Sequence, residues 1–125
     1  MVAVYNSQNG KLETVAKVAG GFSEQEMKEM KERLDKIQTK KPPANLDYKI
    51  EVVDFWVEPK YVVEVAFDEI TESPNHTCNM REHNGELKGL ALRFPRLVKL
   101  REDKTIKEIT TSDEVADLFE LQRAR

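Results

Sequence analysis

Cysteine is almost absent from this chain of 125 residues: Cys78 stands alone, so no internal disulfide can staple the fold. A reducing, intracellular compartment is the expectation that follows. There is no run of about 18 apolar residues, so no membrane-spanning helix is expected. The opening residues also lack the charged-then-apolar layout of a signal peptide. Glycine and proline are sparse, at five each, and no low-complexity tract, internal repeat or interdomain linker is visible. Neither sign of charge prevails: 20 Lys and Arg face 23 Asp and Glu, a net charge of −3, which excludes a disordered polyelectrolyte. What is present is a 39% hydrophobic fraction, enough for one core, in a length that fits one domain. A complete enzyme would be small at this size, so a module or fragment is expected.

Val2-Ala3-Val4-Tyr5 alternates as a strand, Asn9-Gly10 is a strong turn signal, and a second strand is expected from about Lys11 to Ala19, closing a β-hairpin. In that strand Leu12, Thr14, Ala16 and Val18 share a face, and Gly20-Gly21 ends it. Ser23 with Glu26 forms a capping box, and Phe22 with Met27 stands at hydrophobic-staple positions. Met27, Met30, Leu34 and Ile37 recur at helical spacing, which predicts a helix facing the core and ending by Pro42-Pro43. From Tyr48 to Thr71 the pattern is β, interrupted at Glu58-Pro59-Lys60, with Tyr61–Phe67 expected as a central strand. Residues 73–86 read as loop, and a further strand is expected from about Leu87 to Leu100. Thr111 and Glu114 form a second capping box, opening a helix over Ser112–Arg123 with Val115, Leu118 and Phe119 as its apolar face. This inventory suggests a five-stranded Greek-key barrel of the OB type, mainly β, with an inserted helix and a C-terminal helix. A generic α+β sandwich is the other reading.

Charge is unevenly spread. Residues 86–107 carry +4, with Lys88, Arg93, Arg96, Lys99, Arg101, Lys104 and Lys107, whereas residues 51–72 carry −6. A basic strand on an acidic domain is the footprint of a polyanion site. Mutual neutralisation of the two segments as sheet neighbours is the alternative, and the charges alone leave both open. Pro95 cannot donate to a ladder and marks an edge, bulge or break that can aim Arg93 and Phe94 outward. Beyond it, Leu97 and Lys99 are expected to point one way, and Arg96, Val98 and Leu100 the other. Arginine suits phosphate because its planar fork donates two hydrogen bonds at once. Phe94 is either a core phenylalanine or an exposed ring that stacks on a base or wedges into a groove. His76, Cys78 and His83 supply three candidate zinc ligands where a structural site wants four, so no metal site is expected. Glu64, Asp68 and Glu69 read as solvated or salt-bridged carboxylates rather than an acid/base set.

The run Leu90-Ala-Leu-Arg-Phe-Pro-Arg-Leu-Val-Lys-Leu-Arg-Glu-Asp-Lys104 closely resembles motif VI of ATP-dependent DNA ligases of the archaeal and eukaryotic type. The resemblance extends in order over nearly the whole chain. The opening strand, Thr14–Val18 and Gly21-Phe22-Ser23 are similar to the start of that family's C-terminal domain. Trp56–Lys60, Val63–Val65, Ile70–Pro74 and His76-Thr77-Cys78 are similar to its middle strands, and Thr110–Asp113 to the lead into its last helix.

The resemblance implies an OB-fold domain that closes over a separate nucleotidyltransferase domain, whose lysine takes AMP from ATP, with Mg2+, and passes it to the 5′-phosphate of a nick. It implies that Arg93, Arg96, Arg101, Asp103 and Lys104 orient the ATP phosphates, with Asp103 positioning a neighbouring cation. It implies that the domain then swings to grip nicked duplex DNA, with Phe94, Lys88 and Lys99 as candidate DNA contacts and Phe94 as a wedge. The nucleophile's Lys-x-Asp-Gly run does not occur here, so the chain is expected to be a ligase fragment unable to seal nicks alone. A sliding clamp would be met through other domains. The compartment would be the cytoplasm of an archaeon or the nucleus of a eukaryote. Residues 79–88 depart from the family pattern and carry no assigned role. Two rivals stand beside this reading. One is a free-standing single-strand-binding module using Tyr48, Phe55, Trp56 and Tyr61. The other is an RNA-capping enzyme or RNA ligase, which shares the Arg-x-Asp-Lys run.

Overall fold

A computed structural model describes residues 1–50 and 53–124. The hairpin forms as its turn chemistry dictates. Strand β1 (Val2–Tyr5) pairs antiparallel with β2 (Leu12–Ala16), and Gly10 takes the positive φ of 73° that the turn requires. All five residues of β2 are buried, so this strand is not the one-faced strand its alternation suggested. It is central: β4 (Leu46–Asp47) pairs with it in parallel on the other side from β1. Its polar members are satisfied rather than exposed. Glu13 accepts from Asn6 Nδ2 and from the Asn79 amide, both at 3.0 Å, and the Thr14 amide donates to Thr77 Oγ1 at 2.9 Å. No buried side-chain polar atom among the described residues lacks a partner.

Residues 73–86 are not a loop. Strands β7 (Glu69–Ser73), β8 (Cys78–His83) and β9 (Glu86–Arg93) form an antiparallel sheet in the order β7-β9-β8. Asn84 and Gly85 link β8 to β9 with φ of 51° and 84°, the paired positive values of a type I′ hairpin turn. The polar run before that turn is held as strand from outside itself. Cys78 is fully buried, and the Thr77 amide donates to the Thr14 carbonyl at 3.2 Å. Asn79, at a φ of 47°, absorbs the bulge in β8.

The core gathers Val4, Val15, Ala16, Ile70, Cys78, Leu90, Val115 and Phe119. The last two come from the terminal helix α2 (Ser112–Arg123), whose N-cap Thr111 and Glu114 make the expected capping box. Leu118 lies outside the apolar face, 47% exposed. Gln122 pins the outer edge of β7: its Oε1 accepts from the Ile70 amide and its Nε2 donates to the Ile70 carbonyl, both at 2.8 Å.

Helix α1 (Glu24–Asp35) has its capping box as expected, but it buries no residue. Met27 is exposed, and Met30, Leu34 and Ile37 are only half-covered, so this helix lies outside the core that its spacing predicted. It ends at Asp35, before the prolines, because the chain turns at once into β3 (Gln38–Thr39), which pairs with β5 (Trp56–Val57).

The strand expected over Leu87–Leu100 is broken at Phe94-Pro95 into β9 and β10 (Arg96–Leu100). β6 (Val63–Ala66) pairs with β10 alone, so it is not a central strand. The β6–β10 and β7–β9 ladders nonetheless keep one register across the break. Ala66 faces Arg96 on one side of it and Glu69 faces Arg93 on the other, and the Asp68 amide donates to the Arg93 carbonyl at 3.0 Å between them. They form one long ribbon, bent where Pro95 cannot donate. A second irregularity leaves Val98 without a partner, which overrides the simple alternation expected past Pro95: Leu97 and Leu100 are half-buried, while Val98 and Lys99 are exposed. The architecture is thus mainly β with two α-helices, and the described strands lie in four open sheets rather than one closed ladder. Among the described residues no helix is long and apolar enough to cross a membrane.

Candidate nucleic-acid and phosphate interface

The bend in the ribbon creates the first cluster. Phe94 sits at a φ of 54°, a left-handed conformation unfavourable to a bulky side chain, and its ring is 61% exposed. It is therefore not the core phenylalanine that was the alternative. Arg93, ending β9, lays its guanidinium 5.0 Å from the ring centroid. Arg96, opening β10, donates from Nη1 to the Phe94 carbonyl at 3.0 Å. An exposed aromatic is thus flanked by two arginines on a turn that the neighbouring ladders hold in place. Gly21 braces this region from behind. Its φ is 109°, a Cβ there would collide with the Leu97 backbone, and Gly20 accepts from the Leu97 amide at 2.8 Å.

The second cluster lies where β10 ends. Arg101 donates to Asp103 through both Nε, at 3.0 Å, and Nη2, at 2.9 Å, the two-bond fork that guanidinium and carboxylate geometry favour. Its Nη1 reaches Glu64 at 3.4 Å. The fork with Arg101 holds the Asp103 carboxyl well below the ordinary carboxylate range, assisted by its backbone hydrogen bond, and Asp103 in turn raises Arg101. Lys104 follows in the same turn, its amide donating to the Arg101 carbonyl at 3.4 Å. Helix α1 touches this turn through Arg33, whose Nη1 meets Glu102 at 2.9 Å. Nothing in the local pattern around Arg33 signalled that link.

The acidic segment is the neighbour that charge alone left undecided. Arg93 pairs with Glu69 at 2.7 Å and Arg96 with Asp68 at 3.0 Å. Glu64, Asp68 and Glu69 are therefore ion-paired, as their reading as salt-bridged carboxylates held. These pairs are about half exposed, and such pairs contribute only ~0.2–1 kcal/mol each. The arginines are oriented by them but weakly held.

The family described as "ATP dependent DNA ligase C terminal region" matches residues 1–104. The chain belongs to this family. A DNA ligase of Sulfurisphaera tokodaii is 38% identical over 122 residues, covering 98% of this chain and 20% of the relative. A probable DNA ligase of Dictyoglomus thermophilum is 45% identical over 124 residues, covering 98% and 21%. A DNA ligase of Saccharolobus solfataricus is 38% identical over 122 residues, again covering 98% and 20%. The chain spans about a fifth of the length of these relatives.

The match to the ligase C-terminal region runs through Lys104 and so includes every candidate site residue. The fold does not gather all of them. Arg93, Phe94 and Arg96 form one group, and Arg101, Asp103 and Lys104 another. Lys99 lies between them on β10, exposed and opposite Glu64. Lys88 is five residues before Arg93 on β9, about 16 Å along the strand, beside Glu86 at 3.7 Å. The other candidates separate too. His76 is buried against Thr14 Oγ1 at 3.2 Å, and burial pushes the Cys78 thiol up to about 12. No group of three metal-ligating side chains occurs among the described residues, and the His83 side chain lies outside them. Of the aromatics weighed for single strands, Tyr48 packs on Trp56 at 5.0 Å and Tyr61 lies under Arg33 and Lys60, while Phe55 is 41% exposed.

Proposed function

We propose that this chain is the DNA-clamping and ATP-phosphate-orienting region of an ATP-dependent DNA ligase that seals nicks in duplex DNA during replication and repair. The observation that carries this reading is the arginine-flanked, exposed Phe94 on a bent ribbon, followed by the Arg101–Asp103 fork, in a chain of this family. The bent ribbon, whose register continues through its break, is the kind of wall from which a five-stranded OB-type barrel is built.

The donor set fits a triphosphate tail: Arg101 presents a guanidinium already held in plane by Asp103, and Lys104 adds an exposed cation beside it. ATP, when bound to the intact enzyme, supplies the adenylyl group and a pyrophosphate leaving group. Arg101 and Lys104 stabilise the negative charge that grows on the departing phosphates, and Asp103 keeps Arg101 aimed. Arg93 and Arg96 assist from the bend. Mg2+ does not fit this region, which offers it no group of three ligands among the described residues, so no step here runs through it. With no Lys-x-Asp-Gly nucleophile, this chain alone does not seal nicks; its partners are a nucleotidyltransferase domain and nicked duplex DNA. In the DNA-gripping state Phe94 wedges beside the nick while Arg93, Arg96 and Lys99 contact the backbone. Lys88, set apart on β9, makes at most an outlying backbone contact, and a sliding clamp is met through other parts of the enzyme.

The test uses a full-length ligase carrying this region. Arg101→Ala or Lys104→Ala lowers self-adenylylation about 10- to 100-fold, as expected for one lost charge-assisted hydrogen bond of roughly 1.5–3 kcal/mol. Sealing of pre-adenylylated nicks falls less. Equal losses in both steps refute the phosphate-orienting role.

A further inference from the structure

We propose that Asp68 and Glu69 are internal stand-ins for DNA phosphates, holding Arg96 and Arg93 in their binding geometry until a phosphodiester backbone displaces them. The inference rests on the clamping reading above and adds a specificity device to it. The two carboxylates are consecutive in the chain and lie across the ribbon from the Phe94-Pro95 break. Glu69 Oε1 meets Arg93 Nη1 at 2.7 Å, and Asp68 Oδ1 meets Arg96 Nη1 at 3.0 Å. Among the described residues neither carboxylate has another ion-pair partner.

A carboxylate and a phosphate present the same kind of oxygen pair to guanidinium, so the stand-in selects the orientation that phosphate needs. The pairs are about half exposed, so they add little to folding and part easily. Their cost falls on binding, because each arginine must leave its carboxylate before it meets a phosphate. A lone anion displaces one pair at most, whereas a duplex seated on Phe94 offers phosphates to both arginines at once. The arrangement therefore favours duplex over stray anions at some loss of affinity.

The experiment is a double-mutant cycle in a full-length ligase carrying this region, with a nicked duplex blocked by a 3′-dideoxy end as probe and fluorescence anisotropy as readout. Asp68→Asn tightens binding about two- to fivefold at low salt, and the gain shrinks as ionic strength rises, as for exposed pairs. In an Arg96→Ala background the same change gives no gain. Glu69→Gln behaves alike, and its gain vanishes with Arg93→Ala. Equal tightening in both backgrounds is a general charge effect and overturns the proposal. No tightening, while Arg96→Ala still weakens binding, overturns it and leaves the clamping reading standing. Unchanged affinity for Arg96→Ala alone overturns the clamping contact itself.

Discussion

Replacing Phe94 by glycine and by alanine separates the backbone of this residue from its ring. Both changes remove the exposed ring and its 5.0 Å contact with Arg93, so what differs between them is the cost of a φ of 54°. A left-handed conformation costs an L-residue roughly 1–2 kcal/mol. Glycine escapes that cost but has more freedom to lose on folding, about 0.5–1 kcal/mol. Phe94→Gly is therefore the more stable of the two by about 0.5–1 kcal/mol, reversing the usual order of alanine over glycine. For a chain of this size that is about 2–5 °C in Tm, measurable by thermal unfolding of the 125-residue chain followed by circular dichroism. If alanine equals or exceeds glycine, Phe94 is not held left-handed and the bend is not strained. The same two variants in a full-length ligase test the wedge. Stacking on a base contributes about 1–3 kcal/mol, so both lose about 5- to 150-fold in affinity for a nicked duplex, by nearly equal factors. Unchanged affinity in both refutes the wedge while leaving the stability argument intact.

The Cys78 thiol, pushed up to about 12 by burial first and Glu13 second, keeps its proton in the folded chain where the unfolded chain loses it near its ordinary value of 9.0. The folded state then binds more protons than the unfolded one above that value. Stability is full below it and falls by about 1.4 kcal/mol per pH unit as pH rises toward the folded value. Urea unfolding at stepped pH shows that slope, and Cys78→Ala removes it; a parental slope in the variant refutes the assignment. Gln122→Ala strands the buried Ile70 amide and carbonyl, both otherwise bonded at 2.8 Å, and costs about 1–3 kcal/mol by denaturant unfolding. A loss under ~0.5 kcal/mol, the scale of an ordinary surface change, shows that water or another group satisfies that edge.

Features whose cause lies within a few residues were legible. Both capping boxes bond as read, because the donor and acceptor are three positions apart and need no tertiary partner. Pro95 marked the break in the ribbon because a missing N–H acts wherever the ladder lies. Asn84-Gly85 carried the same turn signal as Asn9-Gly10 but was passed over, because the flanking residues lack apolar alternation. The spacing of Met27, Met30, Leu34 and Ile37 shows one apolar face but not what covers it. The core was built without that helix, from β2, the β7-β9-β8 sheet and α2.

The sequence by itself determined the family, the basic run with its outward-aimed phenylalanine, and the ends of the terminal helix. All of these are written in contiguous residues. The tertiary structure alone decided what the arginines face. Arg93, Arg96 and Arg101 find their carboxylates 24, 28 and 37 positions away, through the register of a bent ribbon. That register is set by which strands pair and where they bulge, so the sum of charges along the chain could not choose between an open polyanion site and a neutralised one. The fold produces arginines that are paired, half exposed and weakly held, because cross-strand neighbours of opposite charge attract while water at the sheet surface screens them.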